Sequence, residues 1–339
     1  MHHNMLGKTG LKVSLMGIGA IPLQRFDKEN ALAILEKAAT LGVNFIDTAR
    51  GYSVSEEFLG FALERMGHGK FVVATKSMKR DYEGMRFDIE TSLKTLKTSY
   101  IDLYQCHFVV TKYELDEILS SDGAMKALLE AKKKGLIGHI GVTSHNKAIA
   151  LSAIDTHAFE TVQFPFNFIE TDGVDVFKRA KGQDMGTIVM KPIGGGAIKN
   201  IDLSLRYIAS HGFVDTLIPG VDNALQLTKN AMSFNEDVLA LTESEQIIAA
   251  KEKAELGNSF CRRCDYCKPC PAGIEISLIM NADAYYRRYS LVDWAKAKYT
   301  AIEHNITDCL DCGACEDRCP YGLSIRQMLR DAHEILKNH

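Results

Sequence analysis

Gly17-Ile18-Gly19-Ala20-Ile21-Pro22 decides between two α/β folds. A doubly wound dinucleotide-binding sheet carries Gly-x-Gly-x-x-Gly after its first strand, the third glycine allowing close helix–strand packing. Here Pro22 stands in that third place. The fingerprint is incomplete, so the architecture has to be read from the rest of the chain.

Outward from this segment, short β-type runs alternate with helical-period stretches as far as about residue 233. Strands are predicted at residues 15–19, 44–47, 71–75, 101–106, 137–142, 161–164, 187–190 and 216–218. They are rich in Val, Ile and Leu, as strands buried on both faces should be. Helical patterns separate them, for example over residues 28–41 and 115–134. Gly or Asp marks many of the breaks, as in Leu41-Gly42, Lys134-Gly135 and Asp184-Met185-Gly186. Eight strand–helix units over roughly 220 residues predict an α/β chain of the TIM (β/α)8 barrel type. The expected division is a barrel over 1–235, a charged helical linker over 236–257 and a small, mainly helical domain over 258–339.

Composition narrows the function. The 339 residues include 46% apolar and 24% charged side chains, ordinary for a globular protein. No run of eighteen apolar residues exists, so no membrane span is expected. The start, Met1-His2-His3-Asn4, has no apolar signal core, so a cytoplasmic location is expected. The net charge of −3 gives no pull toward nucleic acid or membrane. No basic patch hides in the average, since residues 257–339 hold 11 Lys/Arg against 11 Asp/Glu.

Cysteine placement is uneven. Only Cys106 precedes Cys261, and the other eight of nine lie between Cys261 and Cys319. Clustered Cys-x-x-Cys pairs in a chain without a signal peptide read as metal ligands, not as a disulfide framework. The motifs are Cys261-x-x-Cys264-x-x-Cys267-x-x-Cys270-Pro271 and Cys309-x-x-Cys312-x-x-Cys315-x-x-x-Cys319-Pro320. The second has bacterial ferredoxin spacing throughout, and the first is one residue short before its last cysteine. Two sets of four, each ending in Cys-Pro, predict two [4Fe-4S] clusters. The alternatives are zinc in tetrahedral thiolate sites, or one cluster beside an empty or zinc site. In the cluster reading, Cys319 joins Cys261, Cys264 and Cys267, while Cys270 joins Cys309, Cys312 and Cys315. Helical periodicity in the spacer, residues 276–304, is closer to an α-helical ferredoxin than to a compact bacterial one.

Chemistry in a TIM barrel sits at the C-terminal ends of the strands. Asp47 closes the second predicted strand, Lys76 the third and His107 the fourth, and Tyr52 lies five positions beyond Asp47. A strand-end Asp or Lys is usually just solvated, and a lone His after an apolar strand is usually structural. Their coincidence on adjacent strand ends points to a site.

At these residues the sequence resembles the aldo-keto reductase family, in its branch with a C-terminal iron–sulfur domain. The likeness begins at Leu6-Gly7-Lys8-Thr9-Gly10 and runs through Phe45-Ile46-Asp47-Thr48-Ala49-Arg50-Gly51-Tyr52. It continues in Asp102-Leu103-Tyr104-Gln105-Cys106-His107, Ile140-Gly141-Val142-Thr143-Ser144 and Ile218-Pro219-Gly220, covering about residues 5–235. It implies an oxidoreductase interconverting a small carbonyl compound and its alcohol. Tyr52 would be the general acid/base, Lys76 its tuner, Asp47 the anchor of Lys76 and His107 the orienter of the carbonyl. The physics agrees: a phenol of pKa ~10 is a poor acid–base switch at neutral pH unless a cation favours its phenolate.

The resemblance also implies a nicotinamide dinucleotide, NADP(H) or NAD(H). Ser144, His145 and Gln163 would meet the carboxamide, and Ser144-His145 stands where Ser-Asn is usual. Met190 takes the place of a stacking aromatic. Lys191, Pro192, Ile193 and Gly194 would approach the pyrophosphate, with Gly19 and Ala20 near the cofactor at the first strand. Gly220, Gln226 and Asn230 fall on the adenine-ribose stretch, where many members carry Lys and Arg and where Lys229 is the one nearby cation in sequence. Clusters move single electrons and nicotinamide moves pairs, so either a flavin or a redox protein partner stands between them or the clusters are structural. Two competing readings remain: an electron-transfer module whose barrel does not turn over carbonyls, and a redox sensor. The intact set of Asp47, Tyr52, Lys76 and His107 argues against the sensor.

Overall fold

The computed structural model describes residues 1–234, 241–257, 259–263 and 265–337. They form two compact units, Met1–Ile193 with Asn200–Thr242, and Gly194–Lys199 with Glu243–His339. The helix Glu243–Leu256, read in the sequence as part of a linker, groups with the second unit, as does the segment Gly194–Lys199.

The first unit opens with an antiparallel pair, β1 (His3–Met5) and β2 (Lys12–Ser14). Eight parallel strands follow: β3 (Ile18–Gly19), β4 (Phe45–Asp47), β5 (Val72–Ser77), β6 (Ile101–Cys106), β7 (Ile137–Thr143), β8 (Thr161–Pro165), β9 (Gly186–Met190) and β10 (Thr216–Ile218). Each pairs with the next in chain order. Parallel bridges Met16–Leu217 and Gly19–Gly220 join the ends, and the Gly19 N–H donates to the Pro219 carbonyl at 2.9 Å. Sequential order and closure make this a (β/α)8 barrel and exclude the doubly wound sheet. A Cβ on Gly19 would lie 2.9 Å from the Ile218 carbonyl oxygen, so this glycine lets the first and last strands meet.

All eight predicted strands are present. The helix Lys28–Leu41 has the predicted bounds. The Asp27 side chain caps it by accepting from the Asn30 N–H at 2.9 Å, and Gly42 ends it at φ 70°. The stretch 115–134 differs from expectation. It forms two helices, Lys112–Leu119 and Ala124–Lys133, because the loop Ser120-Ser121-Asp122-Gly123 interrupts the period.

Strand alternation builds the interior. Phe45, Ala74, Leu103, Ile188 and Ile218 point into the barrel and pack with Leu6 and Val13. Ile46, Val73, Tyr104, Val162, Val189 and Leu217 belong to the outer core beneath the helices. Two residues beyond Phe45, Ala74, Leu103 and Thr161, the period-2 rule brings up Asp47, Lys76, Gln105 and Gln163, all buried. A polar layer thus caps an apolar one. At the other end Leu6 and Val13, carried by the β1–β2 pair, plug the barrel. The Asp215 carboxylate ties this plug down: it accepts from the Gly7 N–H at 3.2 Å and the Thr187 N–H at 3.0 Å, and pairs with Lys181.

In the second unit the expected helical spacer forms Ile276–Arg287 and Val292–Thr300. These pack with Ile325–Leu336 around Ile279, Tyr299, Leu329 and Leu336. Among the described residues no helix is long and apolar enough to cross a membrane.

Candidate functional site

The loop after β4 carries Tyr52 and is stitched to the next strand. The Thr48 N–H donates to the Ala74 carbonyl at 2.9 Å and the Arg50 N–H to the Lys76 carbonyl at 3.0 Å. Thr48 and Ser55 share a hydroxyl hydrogen bond at 2.9 Å, and Ser55 donates to the Ala20 carbonyl at 2.9 Å. Under this loop the Lys76 ammonium lies 2.5 Å from Asp47 Oδ2 and donates to the Thr48 carbonyl at 2.8 Å. Lys76 and Asp47 are each 2% exposed, so the pair is a buried one. The Tyr52 ring centroid is 4.8 Å from Lys76 Nζ, and the His107 ring stands edge-on to Tyr52 at 5.9 Å. The His107 backbone N–H donates to the Ser77 carbonyl at 2.8 Å, fixing the end of β6. The structure therefore gathers the three strand-end residues Asp47, Lys76 and His107 with Tyr52 from the loop. Burial pushes the pKa of Lys76 down, and the Asp47 carboxylate opposes that push.

Two supporting groups escaped the sequence reading. Gln105, one place before the noted Cys106-His107, donates to Asp47 Oδ1 at 3.0 Å. Its signal was the same alternation that turns Leu103 inward. Glu56 is buried, pairs with Arg50, and accepts from Thr75 at 2.7 Å and Ser92 at 2.9 Å. It lies four residues beyond the quoted Phe45–Tyr52 stretch, at a helix start, where an acidic residue is unremarkable.

The cofactor candidates separate. Gln163 is fully buried on β8, and among the described residues neither atom of its amide finds a hydrogen-bond partner. A buried amide left so carries a desolvation penalty that a second amide removes, and the nicotinamide carboxamide has that chemistry. The Ser144 hydroxyl is engaged in its own turn, donating to the Asn146 carbonyl and accepting from the Asn146 N–H, both at 3.1 Å. His145 packs against Phe108 with centroids 5.0 Å apart. Ala20 donates its N–H to the Asp47 carbonyl at 2.9 Å.

Met190 ends β9 opposite Ile218, and Lys191, Pro192 and Ile193 follow it. Gly194 groups with the second unit, where Gly194, Gly195 and Gly196 have φ of 58°, 64° and 84°. That left-handed run requires glycine by itself. Gly220 faces Pro22, Asn230 is buried, and the Gln226 side chain accepts from the Asp222 N–H at 2.8 Å. Lys229 is not alone as a cation here: folding brings Arg25 to within 2.9 Å of Asp222, across 197 positions of sequence.

In the second unit Cys270, Cys309, Cys312 and Cys315 line one pocket with Ile274, Leu310, Arg326 and Leu329. Three of these cysteines come from the second motif and one from the first. Neighbours of the remaining described cysteines also meet across the motifs. Arg318, beside Cys319, donates to the carbonyls of Cys267 at 3.2 Å and Pro269 at 2.6 Å. Arg262, beside Cys261, stacks over Tyr321 at 3.8 Å. Cys264 lies outside the described residues. The two loops share a backbone turn: Asp311 and Gly313, flanking Cys312, have φ of 52° and 75°, and Arg263 and Asp265 repeat this at 58° and 65°. The Asp311 N–H donates to Cys309 Sγ at 3.4 Å. Among the described residues no three His, Cys, Asp or Glu side chains gather tightly enough for a single metal ion. A cubane, several atoms across, holds its thiolates farther apart than one zinc does, so the ring of cysteines around the pocket fits a cluster.

A (β/α)8 barrel with this polar layer, followed by a cysteine-rich helical unit, defines the class. A family model for the aldo/keto reductase family matches residues 15–203, and one for a 4Fe-4S dicluster domain matches residues 260–324. The chain belongs to the aldo/keto reductase family and is an oxidoreductase carrying a 4Fe-4S domain. It is 26% identical over 259 residues to the uncharacterized oxidoreductase YqkF of Bacillus subtilis, covering 72% of this chain and 81% of that protein. It is 30% identical over 212 residues to L-galactose dehydrogenase of Arabidopsis thaliana, covering 57% of this chain and 66% of the relative. The crystal structure of PA4992 from Pseudomonas aeruginosa superposes with a TM-score of 0.61 at 28% identity, covering 68% of this chain and 93% of that one. The holo form of the aldo-keto reductase AKR11C1 from Bacillus halodurans shares the fold, with a TM-score of 0.64 at 22% identity over 74% of this chain and 96% of its own.

Proposed function

We propose that the barrel interconverts a small carbonyl compound and its alcohol with NADP(H) or NAD(H). Bound at Gln163, the nicotinamide would supply or accept the hydride. Tyr52 gives a proton to the carbonyl oxygen and takes it back in the reverse direction. The Lys76 ammonium favours the phenolate that remains. Asp47 holds Lys76 charged against its burial, Gln105 holds Asp47, and His107 orients the oxygen by hydrogen bonding. The observation that carries this reading is the buried Asp47–Lys76 pair at 2.5 Å with Nζ 4.8 Å from the Tyr52 ring.

The second unit, on this reading, holds two [4Fe-4S] clusters with crossed ligands. One is held by Cys261, Cys264, Cys267 and Cys319, the other by Cys309, Cys312, Cys315 and Cys270. The pocket lined by Cys270 with three cysteines of the other motif supports the crossing, as do the Arg318 and Arg262 contacts. Such clusters supply single-electron transfer, and a flavin or a redox protein partner would match it to two-electron chemistry.

The test is protein purified anaerobically, assayed for NADPH and NADH oxidation with simple aldehydes, beside Tyr52→Phe. The variant is expected to lose ~10²–10⁴-fold in rate with unchanged folding. Equal turnover in parent and variant overturns the proton role. A parent inert toward carbonyls but able to reduce and reoxidise its clusters would instead favour the electron-transfer module.

A further inference from the structure

The first cysteine set has paired charges, Lys268 with Asp265 at 3.7 Å and with Glu275 at 2.7 Å, and beside them a buried arginine of another kind. Arg262 follows Cys261 and is 8% exposed, and Arg263 is 3% exposed. The Arg262 guanidinium donates to the carbonyls of Gly257 at 3.3 Å and Phe260 at 3.2 Å, and among the described residues it pairs with no carboxylate. Carbonyl oxygens accept from Nη1 without cancelling the charge, and the buried Nε finds no hydrogen-bond partner among the described residues. The guanidinium stacks over Tyr321, two residues beyond Cys319, so chain neighbours of cysteines from both motifs meet at this charge. Arg262, Arg263 and Arg288 also surround the buried Phe260 ring, at 5.9, 5.7 and 5.3 Å from its centroid.

At the other set Asp311 and Glu316 are paired with arginine, and the pairs are half-buried or exposed. Asp311 pairs with Arg326 at 3.1 Å and Arg330 at 2.9 Å, and Glu316 pairs with Arg326 at 2.7 Å. Cys312 and Asp311 are exposed. Paired, wet charges nearly cancel at a distance and are screened, whereas a buried cation without a counter-charge acts across several ångströms.

We infer that Arg262 raises the reduction potential of the cluster held by Cys261, Cys267 and Cys319, setting it apart from the cluster held by Cys270, Cys309, Cys312 and Cys315. The inference rests on the two-cluster reading. The couple is the uptake of one electron by one cluster, with no bond made or broken. The reduced cluster carries one more negative charge, so a fixed buried cation favours it, and net local charge is among the factors that set such potentials. Lysine at this position would keep the charge and lose the planar stack on Tyr321.

The experiment is a dithionite titration, followed by electron paramagnetic resonance, of the full-length protein loaded anaerobically. Parent, Arg262→Gln and Arg262→Lys are compared. In Arg262→Gln one of the two midpoints should move negative by about tenfold in the reduction equilibrium, about 59 mV for one electron, while the other stays. Arg262→Lys should keep both near the parent. If Arg262→Gln fails to fold or load, Arg262→Met, which keeps an aliphatic stem over Tyr321 and removes the charge, takes its place, with the same single-midpoint shift expected. Equal movement of both midpoints, movement of neither, or a Lys variant shifted as far as the Gln variant overturns the inference. A parent with fewer than eight irons overturns the two-cluster reading and this inference with it. Eight irons with unmoved midpoints overturn this inference alone.

Discussion

Asp47→Asn removes the counter-charge of a buried ammonium, and the structure sets the size of the effect. At 2.5 Å and an effective dielectric of about 20, the Asp47–Lys76 attraction is about 6–7 kcal/mol. Burial already holds the parent's Lys76 pKa below the ordinary lysine value despite that attraction. Without it, keeping the charge is dearer than giving up the proton, so Lys76 is expected to be neutral at pH 7. Neutralising a lysine of reference pKa ~10.4 at pH 7 takes about 4.6 kcal/mol, which caps the destabilisation near the ~3–5 kcal/mol typical of a broken buried pair. The pH dependence follows from proton counting. The folded-state pKa is depressed, so from pH 7 toward pH 10 the unfolded variant binds one more proton than the folded one. Stability then rises by up to about 1.4 kcal/mol per pH unit. The parent gains this slope only above its own, less depressed pKa, so the gap between parent and variant narrows as pH rises. Urea denaturation of both proteins at pH 7, 8, 9 and 10 reads the gap directly. A gap that stays constant across the series would refute the reasoning, since it would mean that Lys76 keeps its proton without Asp47.

Gln163→Leu should weaken nicotinamide dinucleotide binding by about tenfold, read by fluorescence titration. Stability should be unchanged or raised, because the change deletes a buried amide that has no partner among the described residues; a loss of stability equal to the loss of binding would assign Gln163 a structural role. Cys319→Ala, prepared anaerobically, should damage the cluster whose other ligands are Cys261, Cys264 and Cys267 and spare the one at Cys309, Cys312 and Cys315; the opposite pattern in iron content and spectra would end the crossed ligation. Gly7→Ala should lower stability by about 2 kcal/mol or more, seen as a drop in Tm. Its Cβ would fall 2.3 Å from the Gly186 nitrogen and its φ is 49°; a Tm unchanged from the parent would mean that the plug yields freely.

The barrel was legible because parallel strands buried on both faces are written as unbroken runs of Val, Ile and Leu, and each run reappears as a strand. Asp47, Lys76 and His107 were legible because each ends an apolar strand run, and Tyr52 because it lies in the loop just beyond Asp47 within the family stretch. Groups whose meaning depends on distant partners were not. Gln105 looks like any strand polar residue until Asp47 meets it from two strands away. Arg25 and Asp222 are 197 residues apart. The pair β1–β2 has strands of three residues, too short for an alternation to register, and its anchor Asp215 lies over 200 residues further on. In the cysteine domain, spacing alone supplied the ligand types and the expected crossing, whereas the contacts of Arg318 and Arg262 across the motifs needed coordinates.

The plug and the closing bridges also impose an order on biosynthesis. Asn4 donates to the Asp215 carbonyl, and Met16 and Gly19 pair with Leu217 and Gly220, so the barrel cannot shut until residue 220 has been made. The next 99 residues, from 221 to Cys319, take roughly 5–20 s at ~5–20 residues per second. All eight cysteines of the cluster motifs belong to that interval. The ribosome therefore delivers a closable barrel before the first thiol that could take up iron, and the Gly194–Lys199 segment waits for Glu252 and Tyr289, its neighbours in the second unit. Iron supply should limit the ripening of the second unit without delaying the first.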